Sequence, residues 1–587
     1  MMKLISHRGD HFHRCFLSVS GHSQGETGPW EIGLGYNQRA ETSIQQPLAY
    51  DGYYWVLFDG SISNRQNLYQ TLGNAGYRFR TNQDSEIILV AYLHWGLGAF
   101  QEVKGKWSVV ITDLVQKRAV LSRDTVGAKP LYFRQDTRGL SIASEIKQFR
   151  ALGSFALDQS ALIHWLATNS LKPGETMFSM IRELLPGCVL TYSLVDFKIE
   201  TETPYPFQIR SLSEFEDTHS KAKFLRDEVL RETRNQVSTN LVWSAVDDGT
   251  FPSFVLHDAL SVSKPRFFKT HCPVFAGHNT DMSEYLNQFV MNRGGQTNFY
   301  APDERSFDVF FDRFVFAAET PVVDLQMFVN FLVGREISQS NFQLVFGSYG
   351  VDQFLHGGWK AYCAALDKQL LGADPLHGLT EILGALLAGG NRDLFWQYNA
   401  SLLHRLSKSE SILSKNGKRL VREYVTRLSQ TAKVPREDQN RRNFAQSLVT
   451  LEKCFSASGI ELVHPFAVEA FVFGASELDV RDLYRNGWSQ YVLRLGFSER
   501  LPSSLAWNRR DAFRNEMLLD WFTESIASNV ERLVGQRDAK VWSIYAHSRC
   551  LELLKSSRGV RANRRTALGQ LLQVFSVARW LDVFELN

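Results

Sequence analysis

The first 200 residues alternate apolar and polar positions in short runs closed by turn residues, the pattern of strands. Residues 48–59 read LAYDGYYWVLFD and end in Asp59-Gly60, a turn signal. Residues 103–123, VKGKWSVVITDLVQKRAVLSR, hold two strand-like runs around a polar turn, and strands resume through 130–143 and 188–193. Between them, 84–97 (DSEIILVAYLHWGL) repeats its apolar residues at helical spacing, with Asp84 placed to cap it. The pattern predicts a sheet-rich α+β domain over 1–205. From about 215 the period changes. Residues 214–235 are charged and helical in period, 240–246 is a short apolar run that stops at Asp247-Asp248-Gly249, and 252–261 is helical again. An apolar run, a polar glycine turn and a helix form the unit from which parallel α/β sheets are assembled. The unit recurs at 343–346 and the GSYGVD that follows, and 360–587 reads as mostly helical. A second domain, α/β with a largely helical C-terminal part, is expected over 215–587.

Composition narrows the function classes. Hydrophobic residues make up 44% and charged residues 22% of the 587, which excludes a disordered or low-complexity chain. Lys and Arg total 65 against 62 Asp and Glu, and a net charge of +3 gives no electrostatic reason to expect nucleic acid or a membrane surface as partner. No apolar run approaches the roughly 18 residues of a spanning helix. The N-terminal MMKLISHRGDHFH has no apolar stretch of signal-peptide length. The six cysteines (Cys15, Cys188, Cys272, Cys363, Cys454, Cys550) are scattered, so neither a zinc ribbon nor a disulfide framework is expected. A cytoplasmic protein is the expectation.

Several blocks stand in a recognisable order. They are Ser6-His7-Arg8-Gly9, FDGSISN at 58–64, GYRFRTNQDSE at 76–86, RDTVGAKPLY at 123–132, ASEIK at 143–147 and Leu185-Pro186-Gly187. In the second half come GVDQFLHGG at 350–358, His464-Pro465-Phe466, Leu493-Arg494 and Leu501-Pro502. The ordered set resembles the asparagine synthetase superfamily over nearly the whole chain. The resemblance implies an N-terminal amidotransferase-like αββα domain of type 2 and a C-terminal ATP-pyrophosphatase domain of the adenine-nucleotide α-hydrolase kind. Members adenylate a carboxylate with ATP and Mg2+, and an amine then attacks the acyl-adenylate. In asparagine synthetases that amine is ammonia cut from glutamine by the first domain. In β-lactam synthetases and lasso-peptide cyclases the first domain no longer hydrolyses glutamine, and the amine belongs to the substrate.

Glutaminase chemistry of this type uses an N-terminal cysteine, which this sequence does not show; Cys15 follows the HRG block and reads as an ordinary thiol. The oxyanion pair, Asn-Gly in the family, is Asp59-Gly60 here, and an ionised carboxylate cannot donate a hydrogen bond to an oxyanion. Ser61 stands for the family glutamate. Gln38, beside Arg39, stands for the arginine that clamps the glutamine carboxylate. Asp84 matches the acid that binds the glutamine α-amine. Asp59, Gly60 and Asp84 are thus expected to be a vestigial glutamine site. His7, Asp10, His11 and His13 are a weak metal pattern that overlaps the HRG block.

The family's pyrophosphate loop, SGG-x-DSS, falls on Ser244-Ala245-Val246-Asp247-Asp248-Gly249-Thr250. Small residues let backbone N–H groups approach phosphate at a helix N-terminus. Ser244, Asp248 and Thr250 keep the pattern. Val246 puts a branched side chain where the family has glycine, and Asp247 adds a charge. Asp352 matches a second metal-binding aspartate, so Asp248 and Asp352 are the candidate Mg2+ ligands. The family S-G-E-G becomes Gly347-Ser348-Tyr349-Gly350, with Gly347 and Ser348 as candidate nucleotide contacts and Tyr349 in place of a functional glutamate. Arg510 stands where the family carries a lysine that neutralises developing charge; its fork is not equivalent to an ammonium. Three readings follow. The first is an AMP-forming amide ligase with an inactive glutaminase domain, acting on a small-molecule or peptide carboxylate. As a lasso-peptide cyclase it would need a leader-binding protein and a peptidase. The second is a non-catalytic homologue that serves as scaffold or partner of an active paralogue. The third is an ordinary glutamine-hydrolysing asparagine synthetase.

Overall fold

Six antiparallel strands dominate the N-terminal half of the computed structural model. The structure describes residues 1–8, 11–19, 30–38, 46–206, 211–237, 243–246, 250–263, 268–275, 283–340, 342, 344–355, 413–414, 418–419, 436–507, 515–559 and 561–586. The chain divides into two compact units. The first comprises Met1–Gln208, Ala445–Ile460 and Phe584–Asn587, so it takes in two short C-terminal segments that lie within 215–587. The second comprises Ile209–Phe444 and Glu461–Val583.

In the first unit the six strands run in the spatial order Lys198–Pro204, Cys188–Ser193, Arg118–Arg123, Gly105–Asp113, Tyr54–Ile62 and Leu48–Tyr50. Alternation along each strand separates two cores. Val56, Phe58, Val109, Ile111, Val120 and Val189 pack against the helices Arg65–Asn74 and Asp84–Trp95. Leu57, Val110, Leu121 and Leu190 face the opposite way, toward Phe133, Leu140 and Ile142 of a second, three-stranded sheet. A helix layer and two sheets therefore stand in the order expected of an amidotransferase-like domain. Asp84 does not cap its helix. Gln83 occupies the N-cap position without a side-chain capping hydrogen bond, and Asp84 Oδ2 accepts the Ile62 N–H at 2.9 Å.

The RDTVGAKPLY block is a structural knot. Asp124 accepts the backbone N–H groups of Trp107, Val126, Gly127 and Ala128, and buried Arg123 donates to the carbonyls of Gly127 and Lys129. Gly127 has φ +76°, and a Cβ there would stand 2.5 Å from Pro186 of the Leu-Pro-Gly block. Two of the most family-like sequence blocks are thus required by each other's packing.

The second unit holds five parallel strands in the spatial order Gln296–Tyr300, Lys269–Pro273, Trp243–Val246, Leu344–Phe346 and Glu461–Val463. In chain numbering that order is 3-2-1-4-5. Three of these strands are not marked by the apolar pattern: Lys269–Pro273 and Glu461–Val463 are short and largely buried, so they do not alternate, and Gln296–Tyr300 is a partly exposed, polar edge strand. The helix Phe251–Ser263 is buried along almost its whole length, as a helix against a covered sheet must be. Phe307, Phe311, Phe314 and Phe328 pack with Phe522 and Phe575 into a separate aromatic core between helices. Among the described residues no helix is long and apolar enough to cross a membrane.

Candidate functional site

Open α/β sheets bind ligands outside the carboxyl ends of their strands, where the strand order reverses. In the second unit that point lies between Trp243–Val246 and Leu344–Phe346. The residues that follow these two strands meet there. Ser253 Oγ lies 3.1 Å from Ser348 Oγ, and Thr250 Oγ1 lies 3.4 Å from Ser253 Oγ. Thr250 immediately precedes the 13-residue helix Phe251–Ser263, whose first N–H groups carry the positive end of its dipole. Three hydroxyls at a helix N-terminus suit a phosphate. Thr250 and Ser348 are among the residues expected from sequence. Ser253 is not, although it lies three residues after Thr250 and so one turn along the same helix face.

Tyr349 follows in the turn after the strand. Its ring stacks on Phe444, 5.8 Å between centroids and 13° between planes, and leans on His464 at 5.8 Å. Gly350 has φ +114°, and a Cβ there would stand 3.1 Å from the Phe444 ring, so this turn needs glycine. The Gly347 N–H donates to the Val463 carbonyl at 2.9 Å, tying the end of one strand to the next. Asp352 is exposed and accepts a hydrogen bond from the Gln490 side chain, which is itself buried at the start of the helix Tyr491–Phe497. Of the remaining expected residues, Ser244 has only its strand position described, opposite Lys269 and Val345. Asp247, Asp248 and Arg510 lie outside the described residues, so the expected metal pair of Asp248 and Asp352 is not seen together. Val246 ends its strand, paired with His271. The described residues include no group of three His, Cys, Asp or Glu side chains placed to hold a metal ion.

His271 supplies a test of this sheet. Its side chain is 2% exposed, and burial, with Lys269 nearby, pushes its pKa down to about 4. The unfolded chain binds a proton near pH 6.5 and the folded one does not until about pH 4. Stability is therefore full above pH 6.5 and falls as pH drops through that window, by about 3 kcal/mol at most. His271→Leu is expected to flatten this acid limb in urea titrations at pH 4.5 and 7; an unchanged limb would place the titrating group elsewhere.

The first unit holds the expected glutamine-site residues. Asp59 lies 3.4 Å from Arg8 Nη1 and 3.7 Å from Lys129 Nζ. Arg8 also pairs with Glu145 and, at 2.8 Å, with Glu452. Lys129 is 3.8 Å from Glu452, His7 Nε2 is 2.9 Å from Glu145, and Lys147 pairs with Glu145 as well. Burial would lower the Arg8 pKa, but Glu452, Glu145 and Asp59 outweigh it and raise it. Burial would likewise raise the Glu145 carboxyl, yet Lys147, Arg8 and His7 hold it well below the usual carboxylate range. His7 is thus engaged by Glu145. Asp10, His11 and His13 have no described side chains. Asp84 is engaged by the Ile62 N–H and by Arg65 Nε at 3.4 Å, and burial pushes its pKa up. Gly60 has φ +129° and sits opposite Trp107 in the strand ladder. Cys15 is in the middle of the strand His11–Val19, opposite Leu34. Gln38 ends the strand Trp30–Gln38 with its side chain undescribed, and Arg39 is outside the described residues.

Comparison with known proteins finds one family in each half of the chain. Residues 35–205 match the glutamine amidotransferase domain family and 278–582 match the asparagine synthase family. The chain is 22% identical to asparagine synthetase [glutamine-hydrolyzing] 1 of Bacillus subtilis, over 95% of this chain and 91% of that protein. It is 36% identical to asparagine synthetase [glutamine-hydrolyzing] 2 of the same organism, over 28% of this chain and 23% of that one. A putative asparagine synthetase [glutamine-hydrolyzing] of Mycobacterium tuberculosis is 29% identical over 32% of this chain and 30% of its own length. With an N-terminal amidotransferase-like domain, a parallel sheet after it and a family match over more than half its length, the chain belongs to the asparagine synthase family.

Proposed function

We propose that the protein is an ATP-dependent, AMP-forming amide ligase whose amidotransferase-like unit does not hydrolyse glutamine. The observation that carries the ligase reading is the Thr250–Ser253–Ser348 hydroxyl cluster at the switch point of the parallel sheet. In the reaction a substrate carboxylate oxygen attacks the α-phosphorus of ATP and pyrophosphate leaves. An amine nitrogen then attacks the acyl carbon, AMP leaves and the nitrogen gives up a proton. Thr250, Ser253 and Ser348 hold phosphate oxygens. Asp352 and Asp248 would hold Mg2+, which offsets phosphate charge when bound, and Arg510 would neutralise the leaving group. Tyr349, next to Ser348 in the chain, would take the place of the family's functional glutamate.

The glutaminase half of the reading rests on Asp59 and Asp84. Each is already engaged by cations or a backbone N–H, and the first opposes charge build-up on an oxyanion. An amine carried by the substrate itself then fits better than ammonia, as in a lasso-peptide macrolactam cyclase working with a leader-binding protein and a peptidase. Asp352 favours a second reading, because its hydrogen bond from Gln490 competes with metal binding. In that reading the chain is a non-catalytic partner of an active paralogue.

Pyrophosphate release from Mg-ATP, measured against a panel of carboxylates and precursor peptides, tests both. The ligase reading expects release with at least one carboxylate, a loss of about tenfold or more in Asp352→Asn, and no glutamate from glutamine. Absence of release throughout, with stoichiometric co-purification of a paralogue, favours the partner reading. Glutamate release would return the protein to glutamine-dependent chemistry.

A further inference from the structure

We propose that His464 is a phosphate-contacting residue of this nucleotide site, an inference that rests on the nucleotide reading above. His464 directly follows the strand Glu461–Val463, so it stands at the same carboxyl edge of the sheet as Gly347 and Ser348. The hydrogen bond from Gly347 N–H to the Val463 carbonyl fixes the two strand ends to each other. A Cβ on Gly347 would stand 3.1 Å from His464 Cε1 and 3.2 Å from Nδ1. The imidazole therefore lies against the backbone of Gly347, one residue from the Ser348 hydroxyl that meets Ser253 at 3.1 Å. Glycine at 347 is what admits the ring. On its other side the ring meets Tyr349.

Charge gives the imidazole its task. Segments 250–254, 347–354 and 464–468, which form this edge, contain no Lys or Arg, and His464 is their basic residue. A nitrogen donor at this edge would add a charge-assisted hydrogen bond to the hydroxyls and the helix dipole that hold phosphate there.

Calorimetric titration of the full chain with Mg-ATP, and separately with adenosine, tests the assignment on wild type, His464→Phe, His464→Leu and His464→Gln. Both donor-free variants are made so that one folded form suffices. The expected result is a loss of about 10–100-fold in Mg-ATP affinity for Phe or Leu, the worth of a hydrogen bond to a charged group. Adenosine affinity should stay unchanged, and Gln, which keeps an N–H, should recover most of the loss. If wild type binds Mg-ATP and the donor-free variants bind it equally well, the His464 assignment fails and the nucleotide reading stands. An equal loss for adenosine and Mg-ATP makes the ring structural and also overturns the assignment. If wild type binds neither, both readings fall together.

Discussion

Arg8→Met should destabilise the first unit by about 3–5 kcal/mol, the usual cost of removing one partner from a buried charge network. Methionine keeps most of the unbranched stem, so the loss isolates the guanidinium. That group touches Glu145, Glu452 and Asp59 at once. Without it, Glu145 retains Lys147 and His7, whereas among the described residues Glu452 keeps only the longer ion pair to Lys129 at 3.8 Å. A nearly buried carboxylate with one distant partner is the expensive product. For a unit of about 200 residues each kcal/mol moves the midpoint by roughly 2–4 °C, so the transition of this unit should fall by roughly 6–20 °C. Calorimetry of the full chain reads it. Pairing the change with Glu452→Leu removes the stranded charge and should restore part of the loss, a coupling that separate effects would not give. A shift below about 1 kcal/mol would mean that water screens the cluster as it does a surface pair.

The same cluster shows what the sequence conveyed and what it did not. Asp59 could be recognised from one position as hostile to an oxyanion, since that follows from the side chain alone. Its cations could not, because Arg8 lies 51 positions before it, Lys129 follows far along the chain, and no local pattern joins them. The antiparallel sheet was legible because one residue in two along a strand faces each core, as Val56 and Leu57 do. The parallel sheet was only half legible. Lys269–Pro273 reads KTHCP and Glu461–Val463 is three residues long; neither offers period nor length to detect. Asp84 looked like a cap because acids are common there, but its carboxylate is used across 22 residues by Ile62. At the phosphate cluster, Thr250 and Ser348 sit at aligned family positions, whereas the Ser253–Ser348 contact spans 95 residues and appears only when the strands are placed.

Gly60→Ala should be at least as damaging as Arg8→Met, while Asp59→Asn, one residue away, should be mild. Gly60 lies in the strand Tyr54–Ile62 with φ +129°, paired with Trp107. A Cβ there would overlap the Lys106 carbonyl oxygen and stand 2.8 Å from Trp107 Cα, both of them backbone atoms that no rotamer change can move. The pair of strands must part to admit it, and Trp107, fully buried in the core on the helix side, would lose its packing. Strain at such a position and loss of packing each cost about 1–3 kcal/mol or more, so little folded first unit is expected. Asp59→Asn removes two ion pairs from a carboxylate that is 31% exposed and leaves Arg8 with Glu145 and Glu452, a cost of about 1 kcal/mol or less. Urea midpoints of the two variants check the contrast. The amide in Asp59→Asn restores the family's Asn-Gly pair, yet no glutamate release is expected from it, because Asp84 stays engaged by Arg65 and Ile62. Glutamate release would instead make Asp59, rather than Ser61 or Gln38, the departure that blocks that site. If Gly60→Ala collapses the unit as expected, strand pairing alone accounts for the glycine, and its match to an oxyanion donor is no sign of retained glutaminase chemistry.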